Sequence, residues 1–357
     1  MASFPARKDT HVLFAHVAYE FAEPFTARNT GMTFDIARNT DELIAKLPKA
    51  DVLSVSMMWK NELAAKNPRL KFIQSISAGT DQYDREVLKA NGIRLASARG
   101  ANANAVAEHA ISLMLSLSRQ LHFLRDLQHA KSWRGMQGDR AIREDEIEGK
   151  TVLIVGAGGI GQRLVALCKA FGMKVIATRR NPAAGAGSAD EVVADTALMA
   201  KLPEADFVVL TCPLTPETTN LISTAQLAAM KPTAFLVNVA RGKVVDEPAL
   251  IAALEAKKIR GAALDVTVEE PLPVASPLWA MPHVIVTQHT GGETVRYEDR
   301  VIDLLIENAD RLARGETALV ITAHPNRAAS SNGNDLSIFT MLHRETTAYS
   351  ANADTPM

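Results

Sequence analysis

Short apolar runs recur through the first hundred residues, separated by stretches with helical spacing. "HVLFAHV" (11–17), "DVLSVSM" (51–57), "LKFIQSI" (70–76) and "GIRLAS" (92–97) predict strands, with helices such as "DELIAKL" between them. Strands alternating with helical segments predict a parallel α/β sheet. From about Asn102 to Leu124, "NAVAEHAISLMLSLSRQLHFL" is apolar on most faces and predicts one long buried helix. The polar "HAKSWRGMQGDRAIREDEIEGK" that follows predicts a connecting arm rather than core.

A second series starts at Thr151. "TVLIVG" predicts a strand, "GIGQRLVALCKAFG" a helix and "KVIAT" the next strand. "DFVVLTCP" (206–213), "TAFLVNVA" (233–240), "IRGAALDV" (259–266) and "HVIVTQH" (283–289) predict later strands, and "RVIDLLIENADRLARGE" (300–316) a last helix. Residues 326–357 are rich in turn formers without periodicity and predict a mobile tail.

Length and composition narrow the possibilities. At 357 residues the chain exceeds one ordinary core and predicts two domains. A net charge of -1 gives no bulk attraction for nucleic acid or an anionic membrane, so neither is an expected partner. Two cysteines, Cys168 and Cys212, exclude a disulfide framework or cysteine-rich zinc site, and no metal is expected. The N-terminus lacks the apolar run of a signal peptide, and no apolar stretch has membrane-spanning length, which predicts a cytoplasmic protein.

"GAGGIG" sets Gly156, Gly158 and Gly161 in the spacing of a dinucleotide-binding turn, with Gly159 and Ile160 between them. The first glycine permits a tight turn, the second admits phosphate to the backbone, and the third lets helix pack on strand. Its position between a strand and a helix supports this reading. Where such a site usually carries an acid for the ribose hydroxyls, the chain has Arg179 and Arg180. Guanidinium groups suit a 2′-phosphate instead, so NADP(H) is the expected cofactor, with NAD(H) second.

Three further segments place a charged residue at or just past an apolar strand: "VNVARGKVVDE" with Arg241, "ALDVTVEEPLP" with Asp265 and Glu270, and "VIVTQHTGGE" with His289. In an open parallel sheet the carboxyl ends of strands border the ligand crevice. An arginine to neutralise charge, a histidine to exchange a proton and a carboxylate to orient it suit hydride chemistry on a keto acid. Asp265 is also a candidate neighbour-orienting or strand-capping residue.

These segments, together with "SAGTDQYD" (77–84), "AVAEHAISLMLSLSR" (105–119), "CPLTPETTNLI" (212–222) and "PLWAMPHVIVTQHTGG" (277–292), resemble the D-isomer-specific 2-hydroxyacid dehydrogenases from about residue 45 to 320. The resemblance implies catalytic roles for Arg241 (substrate binding), Glu270 (support of the histidine) and His289 (acid/base). It implies that backbone amides near Ala78 and Gly79 cradle the substrate carboxylate. Cys212, Pro213, Thr218, Val239, Ala240, Asp265 and Gly291 join the glycine loop as expected cofactor contacts. It further implies a flavodoxin-like substrate domain over 1–101, completed by 294–325, a Rossmann domain over 102–293, a cleft between them and a homodimer.

The expected activity is reduction of a small 2-keto acid, such as glyoxylate or hydroxypyruvate, to the D-2-hydroxy acid. The alternatives are an NAD-linked dehydrogenase with the same residues, for example of phosphoglycerate type, and a nucleotide-sensing scaffold similar to corepressors. Thr267 and Gln288 depart from the usual pattern, and Glu270 argues against the formate branch. His109 reads as structural, and His122 and His129 as surface residues. Met57, Met58 and Trp59 read equally as substrate contacts or core, and Trp133 in the arm suggests an interface.

Overall fold

The computed structural model describes residues 4–80 and 82–320, so the tail from 326 lies outside the described residues. Two parallel sheets carry the strand pattern. The first, in order β2-β1-β3-β4-β5, comprises β1 (His11–Ala15), β2 (Thr33–Ala37), β3 (Val52–Val55), β4 (Phe72–Ser75) and β5 (Arg94–Ala96). That is the flavodoxin-like order. The second comprises β6 (Thr151–Val155), β7 (Lys174–Thr178), β8 (Glu191–Val193), β9 (Phe207–Leu210), β10 (Phe235–Asn238), β11 (Gly261–Leu264) and β12 (Val284–Val286). Its order, β12-β11-β10-β9-β6-β7-β8, reverses direction between β6 and β9, the switch point where a doubly wound sheet opens a crevice.

Period-two burial explains why these runs are strands rather than helices. In β6, Val152 and Ile154 pack on one face against Val106, Met114 and Leu164, while Leu153 and Val155 face Leu202, Leu227 and Leu250. In β1, Val12 and Phe14 meet Tyr297, Val301 and Leu305, whereas Leu13 and Ala15 meet Trp59 and Tyr83. Trp59 is therefore core, its indole donating to Asn61 Oδ1 at 2.9 Å, while Met57 is 85% exposed.

The final helix, Tyr297–Ala313, packs on the first sheet, so the chain leaves that lobe and returns to it. Buried Asn308 donates to Gln74 Oε1 at 3.1 Å, and Tyr297 Oη donates to the Ile76 carbonyl at 2.5 Å. Arg300 Nη1 donates to the Ala101 carbonyl at 2.7 Å, joining the outgoing and returning chains.

The long helix expected over 102–124 is broken. It runs Ala103–Ser118, and Gln120 adopts the left-handed conformation (φ 52°) before a second helix, Leu121–His129. Burial supplies the reason: the first helix is buried up to Ser118, whereas the second buries no side chain and leaves Leu121 half exposed. His122 is not a free surface residue, because its Nε2 lies 3.1 Å from the Pro282 carbonyl. Among the described residues, no helix is long and apolar enough to cross a membrane.

Candidate active site

The glycine loop leaves β6 at the switch point. Gly156 has φ 103°, and a Cβ there would lie 2.7 Å from the Cys212 Cα, so the position excludes side chains on two counts. The helix Gly159–Ala170 makes its first turn with Gln162 N donating to Gly158 O at 2.9 Å, so the amides of Gly159, Ile160 and Gly161 precede the helical ladder. A Cβ on Gly158 would meet nothing within 4 Å. Amides at a helix N-terminus beside open space fit the pyrophosphate of a dinucleotide.

The other expected cofactor contacts lie at neighbouring strand ends. Cys212, Val239 and Ala240 are buried, and burial pushes the Cys212 thiol up to about 11, so it is no thiolate. Pro213 is exposed, and Thr218 Oγ1 donates to its carbonyl at 2.7 Å, fixing that loop. Arg179 follows β7 and turns its guanidinium inward: Nη1 donates to the carbonyls of Ala184 at 3.2 Å and Gly185 at 2.5 Å. Arg180 is exposed and forms no ion pair among the described residues. The first arginine thus braces the turn, and the second faces solvent.

Arg241 follows β10. Buried Asn238, which the sequence reading missed, builds its turn: Oδ1 accepts from Ala240 N and Nδ2 donates to Arg241 O, both at 3.0 Å. The Arg241 side chain is exposed and donates only to its own neighbour, the Ala240 carbonyl at 2.7 Å. It has no carboxylate partner among the described residues, as a group reserved for an anionic ligand would not.

Beyond β12, His289 Nδ1 lies 2.8 Å from Glu270 Oε2. The other oxygen, Oε1, accepts from Thr267 N at 3.1 Å, which aims the carboxylate at the ring. Both side chains keep substantial exposure, 48% for the histidine and 39% for the glutamate. With Nδ1 turned to the carboxylate, Nε2 is the nitrogen left to exchange a proton. His289 holds φ 54°, a left-handed backbone that costs a histidine roughly 1 kcal/mol.

Asp265 supplies what holds that backbone. Its main-chain oxygen accepts from His289 N at 2.8 Å. Its carboxylate accepts from Thr290 N at 3.1 Å, Gly291 N at 3.0 Å and Thr287 Oγ1 at 2.6 Å. His109 Nε2 completes the cluster, 3.3 Å from Asp265 Oδ1 and 3.0 Å from Thr287 Oγ1. Burial of this carboxyl, 4% exposed, pushes its pKa up, but hydrogen bonds from His109, Thr287 and the Gly291 amide outweigh that and hold it at about 2. The carboxylate faces protein donors in each of these bonds, so its geometry is that of an anchor. Thr287 carried no distinguishing signal in the sequence.

On the first lobe, Ala78 and Gly79 lie in the partly buried segment after β4. Ser77 meets Ser56 through their hydroxyls, Ala98 N donates to Ser77 O at 3.0 Å, and Tyr297 holds the Ile76 carbonyl. The segment is thus fixed from three sides at the carboxyl end of its strand.

Residues 111–291 match the sequence profile described as D-isomer specific 2-hydroxyacid dehydrogenase, NAD binding domain. A D-3-phosphoglycerate dehydrogenase of Methanocaldococcus jannaschii is 36% identical over 292 residues, covering 80% of this chain and 54% of that protein. The chain therefore spans about half the length of the phosphoglycerate dehydrogenases it matches. A glyoxylate/hydroxypyruvate reductase B of Yersinia pestis is 37% identical, covering 76% of this chain and 83% of its own. A crystal structure of a D-isomer specific 2-hydroxyacid dehydrogenase family protein from Aeromonas salmonicida superposes with TM-score 0.76 at 28% identity, covering 88% of this chain and 99% of the other. With the doubly wound sheets, the glycine loop and the Glu270–His289 pair in place, the chain belongs to the D-isomer specific 2-hydroxyacid dehydrogenase family.

Proposed function

We propose that the protein reduces small 2-keto acids of the glyoxylate and hydroxypyruvate class to the D-2-hydroxy acid, with NADP(H) preferred over NAD(H). The observation that carries this reading is the 2.8 Å contact between His289 Nδ1 and Glu270, which leaves Nε2 of a half-exposed imidazole available. The glycine loop and the ends of β7, β9 and β10 would hold a nicotinamide dinucleotide, which would supply hydride chemistry at C2 of the substrate. Arg241 binds the substrate carboxylate and the ketone oxygen, and the amides near Ala78 and Gly79 take the remaining carboxylate charge. His289 donates its Nε2 proton to the ketone oxygen, and Glu270 keeps the ring oriented and the imidazolium compensated. In the oxidative direction neutral Nε2 takes that proton back.

The domains proposed are 1–101 with 294–325 for substrate and 102–293 for cofactor, with the reaction in the cleft between them. NADP(H) preference rests on Arg180, with Arg179 bracing the turn from which it projects. A homodimer is supported by the arm, where Trp133 is 97% exposed and Met136 fully so, residue types enriched in interfaces. The likeness to a glyoxylate/hydroxypyruvate reductase favours small substrates. The phosphoglycerate dehydrogenases support the NAD-linked alternative, on the half of their length that this chain matches.

Oxidation of NADPH and NADH with glyoxylate, hydroxypyruvate, pyruvate and phenylpyruvate tests the reading. Turnover with glyoxylate or hydroxypyruvate is expected; binding of cofactor with no turnover on any acid would leave the sensing scaffold. Arg180→Asp should raise the KM for NADPH about tenfold to a hundredfold and leave NADH nearly unchanged. Equal use of both cofactors by the unmodified protein would remove the preference.

A further inference from the structure

His109 sits on the mostly apolar helix Ala103–Ser118 beside the core, its side chain 22% exposed, with its ring turned to the carboxyl ends of β11 and β12. The Thr287 hydroxyl gives its single proton to Asp265 Oδ1 at 2.6 Å, so toward His109 it can only accept. That assigns Nε2 of His109 as the protonated nitrogen, donating at 3.0 Å. The relay ends on the carboxylate that holds the Thr290 and Gly291 amides, next to the left-handed backbone of His289. Packing there is tight: a Cβ on Gly291 would lie 2.7 Å from Asp265 Oδ2 and 3.0 Å from His109 Cδ2. Ring, carboxylate and loop therefore fit as one unit. The same helix opens beside the loop at its other end, where a Cβ on Gly292 would fall 2.7 Å from Asn102 Nδ2.

We propose that His109 is a positioning residue for the acid/base: through Thr287 and Asp265 it clamps the segment 286–293 to the helix Ala103–Ser118 and so fixes where His289 Nε2 points. This deepens the reading of His289 as the proton donor and rests on it. His109 Nε2 faces Thr287 and Asp265 rather than the His289 ring, so its effect is on the placement of a group that must meet the ketone oxygen. Small misplacements of such a group are costly, because proton transfer depends on approach distance and angle. Bulk at position 109 alone would fill the core but leave the Thr287 oxygen without its donor.

The test uses the full chain with three substitutions. His109→Leu keeps the bulk and removes the donor, His109→Gln places an amide N–H at similar reach, and Thr287→Val removes the bridging hydroxyl while leaving the direct 3.3 Å contact of His109 Nε2 with Asp265 Oδ1. His109→Leu should lower kcat for glyoxylate reduction by about tenfold, with the KM for NADPH changed less than about twofold. Amide exchange of the 286–293 segment, measured without cofactor, should quicken by roughly an order of magnitude while the helix Gly159–Ala170 stays protected. His109→Gln should recover most of both losses, and Thr287→Val should show the same two losses in smaller degree even if His109→Leu folds poorly. Unmodified kcat and exchange in His109→Leu and Thr287→Val would overturn the proposal, as would a loss that His109→Gln does not recover. His289→Ala separates the two ideas: if it still turns over, the acid/base reading fails, whereas the exchange data decide the clamp independently.

Discussion

Glu270–His289 and Asp265–His109 are both carboxylate–imidazole pairs at the ends of β11 and β12, and their surroundings give them opposite characters. In the first, each side chain is more than a third exposed, and one carboxylate oxygen is left to a single ring contact at 2.8 Å. In the second, the carboxyl is 4% exposed, and a hydroxyl, two backbone amides and an imidazole converge on it. A buried carboxylate ringed by protein donors is a fixed point in the fold. One that spends an oxygen on a half-exposed ring stays open to solvent and ligand. Identical residue types thus take on different characters according to how many donors surround them.

The sharpest way to separate the two pairs is His289→Ala. Loss of a positioned acid/base should lower kcat by about a thousandfold, within the range such groups contribute, with the melting temperature almost unchanged. Near-normal turnover would place the proton donor elsewhere. Arg241, a charged group with no acidic partner among the described residues, is the control between the pairs. Arg241→Lys keeps the charge but loses the planar fork, and kcat/KM should fall by about a hundredfold, or about 2.7 kcal/mol. An unchanged keto-acid KM and kcat would remove it from the site.

The buried pair should show itself in stability. The Asp265 carboxyl is held at about 2 against an ordinary 3.8, so between those values the unfolded chain binds more protons than the folded one. Folding stability from this group is therefore fully present above about pH 4 and lost as pH falls through 2, an amount of about 2 kcal/mol. Urea unfolding of the unmodified protein and of Asp265→Asn should show a gap that closes by that amount on acidification. A gap independent of pH would mean that the carboxylate is not held ionised. The smallest effect belongs to the exposed pair: Glu270→Gln should change unfolding free energy by less than about 1 kcal/mol, and a larger loss would make it structural after all.

Legibility differed along the chain for physical reasons. The central strands β6, β9, β10 and β11 are apolar runs buried on both faces, so hydrophobicity marks them. Edge strands β2 and β8, with no such run and mostly half-buried residues, left no comparable mark. The helix break at Gln120 has no glycine or proline to announce it; it lies where the neighbouring core ends. Within the site, Arg241, Glu270 and His289 could be singled out because each follows an apolar strand in a recognisable segment. His109 was read as structural because its helix is apolar, and only tertiary placement brings it to Thr287 and Asp265. Asn238, the last residue of β10, and Thr287, just past β12, are ordinary polar residues until their partners are known.

The return of the final helix to the first sheet has a mechanical consequence. A lobe joined to its neighbour by one strand of chain can swing and twist freely about that tether. Here the outgoing chain at Ala101 and the returning chain at Arg300 are fastened side by side, with Asn102 against Gly292 beside them. Two parallel attachments act as an axle: they leave rotation about the line between them and resist sliding and twisting. Any opening between the lobes would then pivot about these two crossings, beside the loop that carries His289.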